Sequence, residues 1–399
     1  MKYIFLIFLA GSIISFIFLG IINPLDKPMD DFGVYYHTAE ILNNGNNNIY
    51  SVKIHTDVFN YPPVFAILLK PLAFFNYRNS QILWHILSLV SYLSSAIIVA
   101  FIFSGKDKYV FLFFIALFLF FQPAYETFKW GQVNAIIFFF IAAGLLFLKY
   151  KFKILSGILF GLAAAIKLSP LIIFIPLILK KEYKSFFVML FTLFFLNLLS
   201  CIYTFDLNAV LKYYIEILPE LMQRGMFDNP YNLSFHSLFQ RLFLPGNGYS
   251  SPINIIKDYK IAELSSSILT KSFSYSILII SFIYAIRNKM NASIEILIAV
   301  VLNAALISSN IAWEHHYVIL LLGYCAAFKL LYDSETLENR SQNMILFFRI
   351  LLAISFAVIS ASIGYDNKIF LGGWKNLFVS VKLYSAAALW MILIKFSWN

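Results

Sequence analysis

The chain has 399 residues, of which 61% are hydrophobic, 19% aromatic and only 13% charged, and 44 are Phe. A soluble core cannot hide that much apolar surface, so composition excludes an ordinary globular protein and predicts an integral membrane protein. The net charge of +10 then reads as the basic-loop signal that sets membrane topology, and nucleic acid is not expected as a partner. Cys201 and Cys325 lie in apolar runs without Cys-x-x-Cys spacing or an adjacent His, so neither a disulfide framework nor a zinc site is implied.

Behind Lys2, the run Tyr3 to Ile22 is uninterruptedly apolar, of spanning length and without a small-residue cleavage site. It predicts a retained helix with a cytoplasmic N-terminus. Asp30 and Asp31 follow close to that boundary, where a carboxylate must be solvated, paired or put to use. As structure alone they suit the first turn of a helix, where negative charge meets the dipole. The segment continues through Tyr35 and Tyr36, crosses an Asn/Gly turn at Asn43 to Asn48, and reaches Tyr50 and Tyr61-Pro62-Pro63. The apolar piece Pro63 to Phe75 is interrupted by Pro71 and reaches roughly 20 Å as a helix, short of a core of about 30 Å. Residues 23–79 therefore read as an outer loop carrying interfacial helices.

Full spans are predicted at Gln81 to Phe103, Tyr109 to Phe121 and Ala135 to Leu148. Lys149, Lys151 and Lys153 mark a cytoplasmic loop, which puts Lys106 and Lys108 inside and the loop Gln122 to Asn134 outside. The next apolar run, Ile154 to Leu179, is broken by Lys167-Leu168-Ser169-Pro170 and ends in a second lysine cluster. One straight helix would bury Lys167 in the bilayer at a cost of roughly 2.5 to 3.5 kcal/mol. A hairpin of two short helices puts Lys167 at the outer face instead, with Pro170 starting the returning helix. Further spans at Phe186 to Tyr203, Ile268 to Ile286, Ile294 to Ile307, Val318 to Tyr332, Ile345 to Ser362 and Leu377 to Lys395 bring the expected total to about 12. The expectation is one all-α polytopic membrane domain over 1–399, with residues 205–265 as a small outer platform and no internal repeat.

Counted this way, the unusual polar groups share the outer face. Trp130-Gly131-Gln132-Val133-Asn134 opens an apolar helix with Asn134 as its cap, and Gln132 and Asn134 are also suited to a hydroxylated ligand. Lys167 reads either as a snorkelling lysine or as a point charge offered to a phosphate. Asn232 and Ser234 read as a helix cap, with Arg241 a basic residue beyond them. His315 and His316 are neighbours in a helix, about 100° apart, and so are poorly placed to chelate one ion together.

These segments resemble glycosyltransferase family 87, polytopic sugar transferases of the GT-C superfamily that include bacterial polyprenol-phosphate-mannose-dependent mannosyltransferases. The resemblance is carried by Asp31 with Tyr35, Tyr36, Ala39, Gly45, Tyr50 and Tyr61-Pro62-Pro63, and by Gly131-Gln132-x-Asn134. It continues through Ala163-Ala164-Ala165-Ile166-Lys167-Leu168-Ser169-Pro170, Asn232-x-Ser234 and Trp313-x-His315-His316. Ser308-Ser309-Asn310 departs from the family's Ser-Pro, and no motif is recognisable beyond Tyr317. The resemblance implies a GT-C bundle with Asp31 as catalytic residue. It further implies Tyr35, Tyr36, Tyr61, Gln132, Asn134, Lys167, Asn232, Arg241, His315 and His316 as substrate contacts, with no metal and no cofactor.

An outward site in a bacterial plasma membrane has no access to nucleotide sugars. The donor expected is thus a polyprenyl-phosphate hexose, with mannose the sugar on the family's pattern, and the acceptor a lipid or glycan among membrane lipids. Glycosyl transfer from a phosphate requires a carboxylate base on the acceptor hydroxyl and cationic or hydrogen-bonding groups at the leaving group. A transporter or flippase of lipid-linked saccharides would instead show inverted repeats and broken helices in both halves, and only one broken helix is readable. A polymerase or ligase of such saccharides shares the substrate class but not the Asp31 and Tyr-Pro-Pro signature.

Overall fold

In lipid a helix satisfies every backbone donor and acceptor within one segment, and helix dominates this computed structural model. The structure describes residues 2–51, 53–54, 57–204, 207–223, 229–244, 256, 258–332, 340–365 and 375–397. Among them the strand pairings are a two-residue antiparallel ladder, Lys53–Ile54 with Asp57–Val58, and a single bridge between Asn232 and Trp313. Two units divide the chain, Met1–Leu221 and Met222–Asn399, and each is described by itself.

Among the described residues, six helical stretches are long and apolar enough to cross a membrane: Leu6–Leu25, Tyr77–Ser104, Tyr183–Tyr203, Tyr259–Arg287, Glu314–Tyr332 and Gln342–Ser360. A seventh crossing is formed if Lys108–Leu119 and Gln122–Trp130, bent by 46°, count as one. The expected total of about 12 is not reached by length. Asn134–Lys149, Lys153–Ile166 and Ile294–Ile307 are apolar but short, since a crossing of about 30 Å needs about 20 residues.

In the first unit, Lys153–Ile166 packs between Asn134–Lys149 and Tyr183–Thr204. Gly157 and Gly161, one turn apart, make the second contact possible. A Cβ on Gly157 would lie 2.6 Å from the Ser185 carbonyl oxygen, and one on Gly161 would lie 2.5 Å from Thr192 Cβ and 2.8 Å from the Met189 carbonyl oxygen. Small residues at this spacing let backbones touch where lipid supplies no hydrophobic drive between helices. Gly161→Val is accordingly expected to lower the melting temperature in detergent by several degrees, roughly the effect of 1–3 kcal/mol of overpacking. An unchanged melting curve would contradict this backbone contact.

The helix stops at Ile166. Lys167 is extended (φ −148°, ψ 128°), and a 3-10 turn, Ser169–Ile173, begins with Pro170 in its first turn, so the expected break is present. The segment from Gln122, expected as a loop, is instead the helix Gln122–Trp130 with Pro123 in its first turn and left-handed Gly131 (φ +69°) beyond its end. Proline inside the start and glycine past the end are legible helix punctuation, here masked by the polar sequence between them.

In the second unit, Val381–Ser397 packs on Ile294–Ile307, Leu320–Tyr332 and Gln342–Ser360, burying Leu383, Ala386, Leu389 and Phe396. Of the expected platform, the described part comprises Leu207–Lys212 and a π-turn Tyr213–Ile217 in the first unit, Leu218–Gln223 across the division, and Phe235–Phe243 with the start of Tyr259–Arg287 in the second. Asp206, Arg224, Asp228 and Pro245 lie outside the described residues.

Candidate active site

The helix Asp30–Asn43 begins after extended Met29 and carries Asp30 and Asp31 in its first turn, where the dipole favours negative charge. Buried Phe32, Val34, Tyr35, Tyr36, Ala39 and Leu42 hold it in place. Four residues after Asp31, Tyr35 shares its face. The Tyr35 hydroxyl donates to the Tyr61 hydroxyl at 2.8 Å, and Tyr61 donates to Gln132 Oε1 at 3.0 Å. Tyr35 Oη also lies 3.2 Å from that oxygen, so three side chains distant in sequence meet at one point.

Local sequence explains each arrival. Pro62 disfavours helix at Tyr61, and Pro63 occupies the first position of Pro63–Leu69, where its missing N–H is harmless. The Tyr50 hydroxyl donates to the Tyr61 carbonyl at 3.2 Å. Gln132 is delivered by Gly131, whose carbonyl accepts from Trp84 Nε1 at 2.7 Å, while the Gln132 N–H donates to the Thr127 carbonyl at 2.9 Å. A Cβ on Gly131 would sit 2.6 Å from Phe32 Cβ and 3.0 Å from Met29 Cβ. Only glycine supplies both the left-handed conformation and the close approach to the start of the Asp31 helix.

Asn134 is the first residue of Asn134–Lys149, with Val133 rather than Asn134 at the cap. Its Oδ1 accepts from Lys167 Nζ at 3.1 Å. Lys167 is half-buried just beyond its helix, and loss of solvation lowers its ammonium from 10.5 to about 8, with the charge of Asp31 acting in the opposite direction. Tyr35 is raised well above its ordinary value by burial first, then by Tyr61 and Asp31, and Tyr61 is raised by burial and then by Asp31. Asp31 is thus the charge that these groups share, and Asp31, Tyr35, Tyr61, Gln132, Asn134 and Lys167 form one cluster within the first unit.

Tyr36 is not part of it. Its hydroxyl donates to the Phe75 carbonyl at 2.8 Å and its ring meets Tyr77 edge-on at 5.4 Å, on another face of the helix. This fixes the Pro63–Phe75 segment to the Asp31 helix.

In the second unit the expected ligand residues hold backbone. Asn232 donates to the Asn310 carbonyl at 3.1 Å and accepts from the Ala312 N–H at 3.0 Å, which ties the Asn-Leu-Ser segment to the chain before Trp313. Ser234 caps Phe235–Phe243 by accepting from the Ser237 N–H, as the capping expectation had it. Arg241, 1% exposed, donates to the Asn232 carbonyl at 3.1 Å, to Ser237, and to Ser380 Oγ at 2.8 Å. His316 Nδ1 accepts from the Trp313 N–H at 3.3 Å, capping the 3-10 turn Glu314–Ile319. His315 and His316 meet edge-on, with ring centroids 4.6 Å apart and planes at 82°. Between them and Trp313, the buried Glu314 carboxylate pairs with the buried Lys382 ammonium.

Trp84 and Lys382 carry this geometry without having been singled out in the sequence. Trp84 lies in an apolar span, and Lys382 lies in the stretch past Tyr317 that has no recognisable motif.

A bundle of long apolar helices with a half-buried carboxylate and lysine at helix ends defines an integral membrane protein with an enzyme-like site. The model of glycosyltransferase family 87 matches residues 59–309, more than half of the chain, and the chain belongs to that family. It is therefore a membrane glycosyltransferase. The matched region includes Tyr61, Gln132, Asn134, Lys167, Asn232 and Arg241, whereas Asp31, Tyr35, Tyr36, His315 and His316 lie outside it. Comparison with curated proteins and with solved structures gave no match.

Proposed function

We propose that the chain is an inverting GT-C hexosyltransferase. It moves a hexose, mannose on the family's pattern, from a polyprenyl-phosphate donor to a lipid- or glycan-linked acceptor on the extracytoplasmic face of a bacterial plasma membrane. The observation that carries this reading is the meeting of Asp31 with Tyr35, Tyr61, Gln132, Asn134 and Lys167 in the first unit. It supplies a carboxylate for proton removal and a cation for phosphate within one cluster.

In the reaction, Asp31 takes the acceptor hydroxyl proton as that oxygen bonds to the anomeric carbon from the face opposite the phosphate. The bond from carbon to phosphate oxygen breaks, and its electron pair leaves on the polyprenyl phosphate, whose charge Lys167 and the Asn134 amide receive. Tyr35, Tyr61 and Gln132 contact sugar hydroxyls.

The test is transfer in reconstituted liposomes from synthetic prenyl-phosphate-mannose with EDTA, compared with GDP-mannose alone. Product from the lipid donor is expected to survive chelation. Robust transfer from the nucleotide sugar would overturn the donor, and loss with EDTA restored by Mg²⁺ would overturn the metal-free mechanism. Orientation is tested separately in intact cells carrying single cysteines in a Cys201/Cys325-free background. An impermeant thiol reagent is expected to label exposed position 44 and not exposed position 151, and the reverse pattern would invert the topology.

A further inference from the structure

The hydrogen-bonded cluster does not end at Tyr61. The Tyr50 hydroxyl holds the Tyr61 carbonyl at 3.2 Å, and the Tyr50 ring stacks on Tyr213 with centroids 6.5 Å apart and planes at 20°. Tyr213 is the first residue of the π-turn Tyr213–Ile217 and is 3% exposed. Its neighbour Tyr214 donates to Asn197 Oδ1 at 3.1 Å, whereas the Tyr213 hydroxyl takes no hydrogen bond among the described residues. A π-turn widens a helix locally at the expense of regular hydrogen bonding and recurs at functional sites. The Tyr213 hydroxyl is not among the buried unpartnered side-chain atoms, so it borders space that water or a ligand hydroxyl can occupy. The phenol lies close enough to Tyr61 to act on it electrostatically.

We propose that Tyr213, with the Tyr50 ring and the Tyr61 hydroxyl, forms a second carbohydrate subsite that takes a neutral sugar ring on the acceptor side of the reaction. Neutrality follows from the lining, which offers aromatic faces and hydroxyls and no cation among Tyr50, Tyr61 and Tyr213. The acceptor side follows from Asp31, the base for the acceptor hydroxyl, which acts on Tyr61, and from Tyr50, which joins Tyr61 to Tyr213. The assignment of sides rests on the function proposed above, while the existence of the subsite does not.

The test reads binding without turnover, by saturation-transfer difference NMR of methyl α-mannopyranoside and methyl α-glucopyranoside on the full chain in nanodiscs. Wild type is expected to bind at least one glycoside. Tyr213→Phe, which keeps the ring and removes only the hydroxyl, is expected to bind it roughly 3- to 10-fold more weakly, the loss of one neutral hydrogen bond. Tyr214→Phe serves as the control for disturbance of the turn and is expected to bind like wild type. No glycoside bound by wild type, or equal binding by Tyr213→Phe, overturns the subsite. Binding that follows Tyr213 while prenyl-phosphate-mannose is not a donor leaves the subsite standing and rejects the donor alone.

Discussion

Asp31→Asn is expected to lower turnover by more than about 100-fold while membrane insertion and melting temperature stay close to wild type. Removal of a general base alone costs on the order of 100- to 10,000-fold, and the amide keeps the shape of the carboxylate at the start of Asp30–Asn43. Asp30→Asn provides the comparison. Asp30 acts on Tyr77, in the neighbourhood where Tyr36 packs, whereas Asp31 acts on Tyr35, Tyr61 and Lys167. Two adjacent carboxylates on a helix point about 100° apart, and only one of them faces the cluster. Turnover measured with a lipid-linked donor in liposomes decides the matter. Near-normal activity in Asp31→Asn together with collapse in Asp30→Asn would reassign the base.

What could be read from the sequence was set by how local its cause is. Tyr61-Pro62-Pro63 and Lys167-Leu168-Ser169-Pro170 carry their conformations within a few residues, and both the helix start at Pro63 and the break at Lys167 are present. The punctuation of Gln122–Trp130 was equally local, with Pro123 and Gly131 at its ends, and was obscured by its polar composition. Span counting depends on length against a membrane thickness, and short apolar helices such as Lys153–Ile166 match a crossing in composition but not in length. Within the site, Tyr35 and Tyr36 are indistinguishable as sequence neighbours. Only packing sends one to Gln132 and the other to Phe75. Asn232 and Arg241 sit in a ligand-like pattern, and packing gives their side chains partners in carbonyls, the Ala312 N–H, Ser237 and Ser380. Trp84 and Lys382 act through partners 47 and 68 residues away, and no periodicity announces a contact at that distance.

Lys167→Met is expected to reduce kcat/KM for prenyl-phosphate-mannose by roughly 100-fold or more, since it removes the cation at which leaving-group charge develops. The pH profile provides the more specific result. With the ammonium lowered from 10.5 to about 8 by burial, the free enzyme loses its charge as pH rises, so wild-type kcat/KM should fall through about 8 rather than stay level to 10. Unfolding would not produce that limb. Between about 8 and 10.5 the unfolded chain holds the Lys167 proton more tightly than the folded one, so this residue's contribution to stability rises with pH while activity falls. Lys167→Arg separates the two effects further. A guanidinium stays charged throughout the range but presents a fork in place of a point charge, so the alkaline limb should move out of reach while kcat drops several-fold. A wild-type profile that is level across pH 8 to 9, or a Lys167→Met enzyme with normal kcat/KM, would remove Lys167 from the phosphate and leave it as a lysine that only orients Asn134.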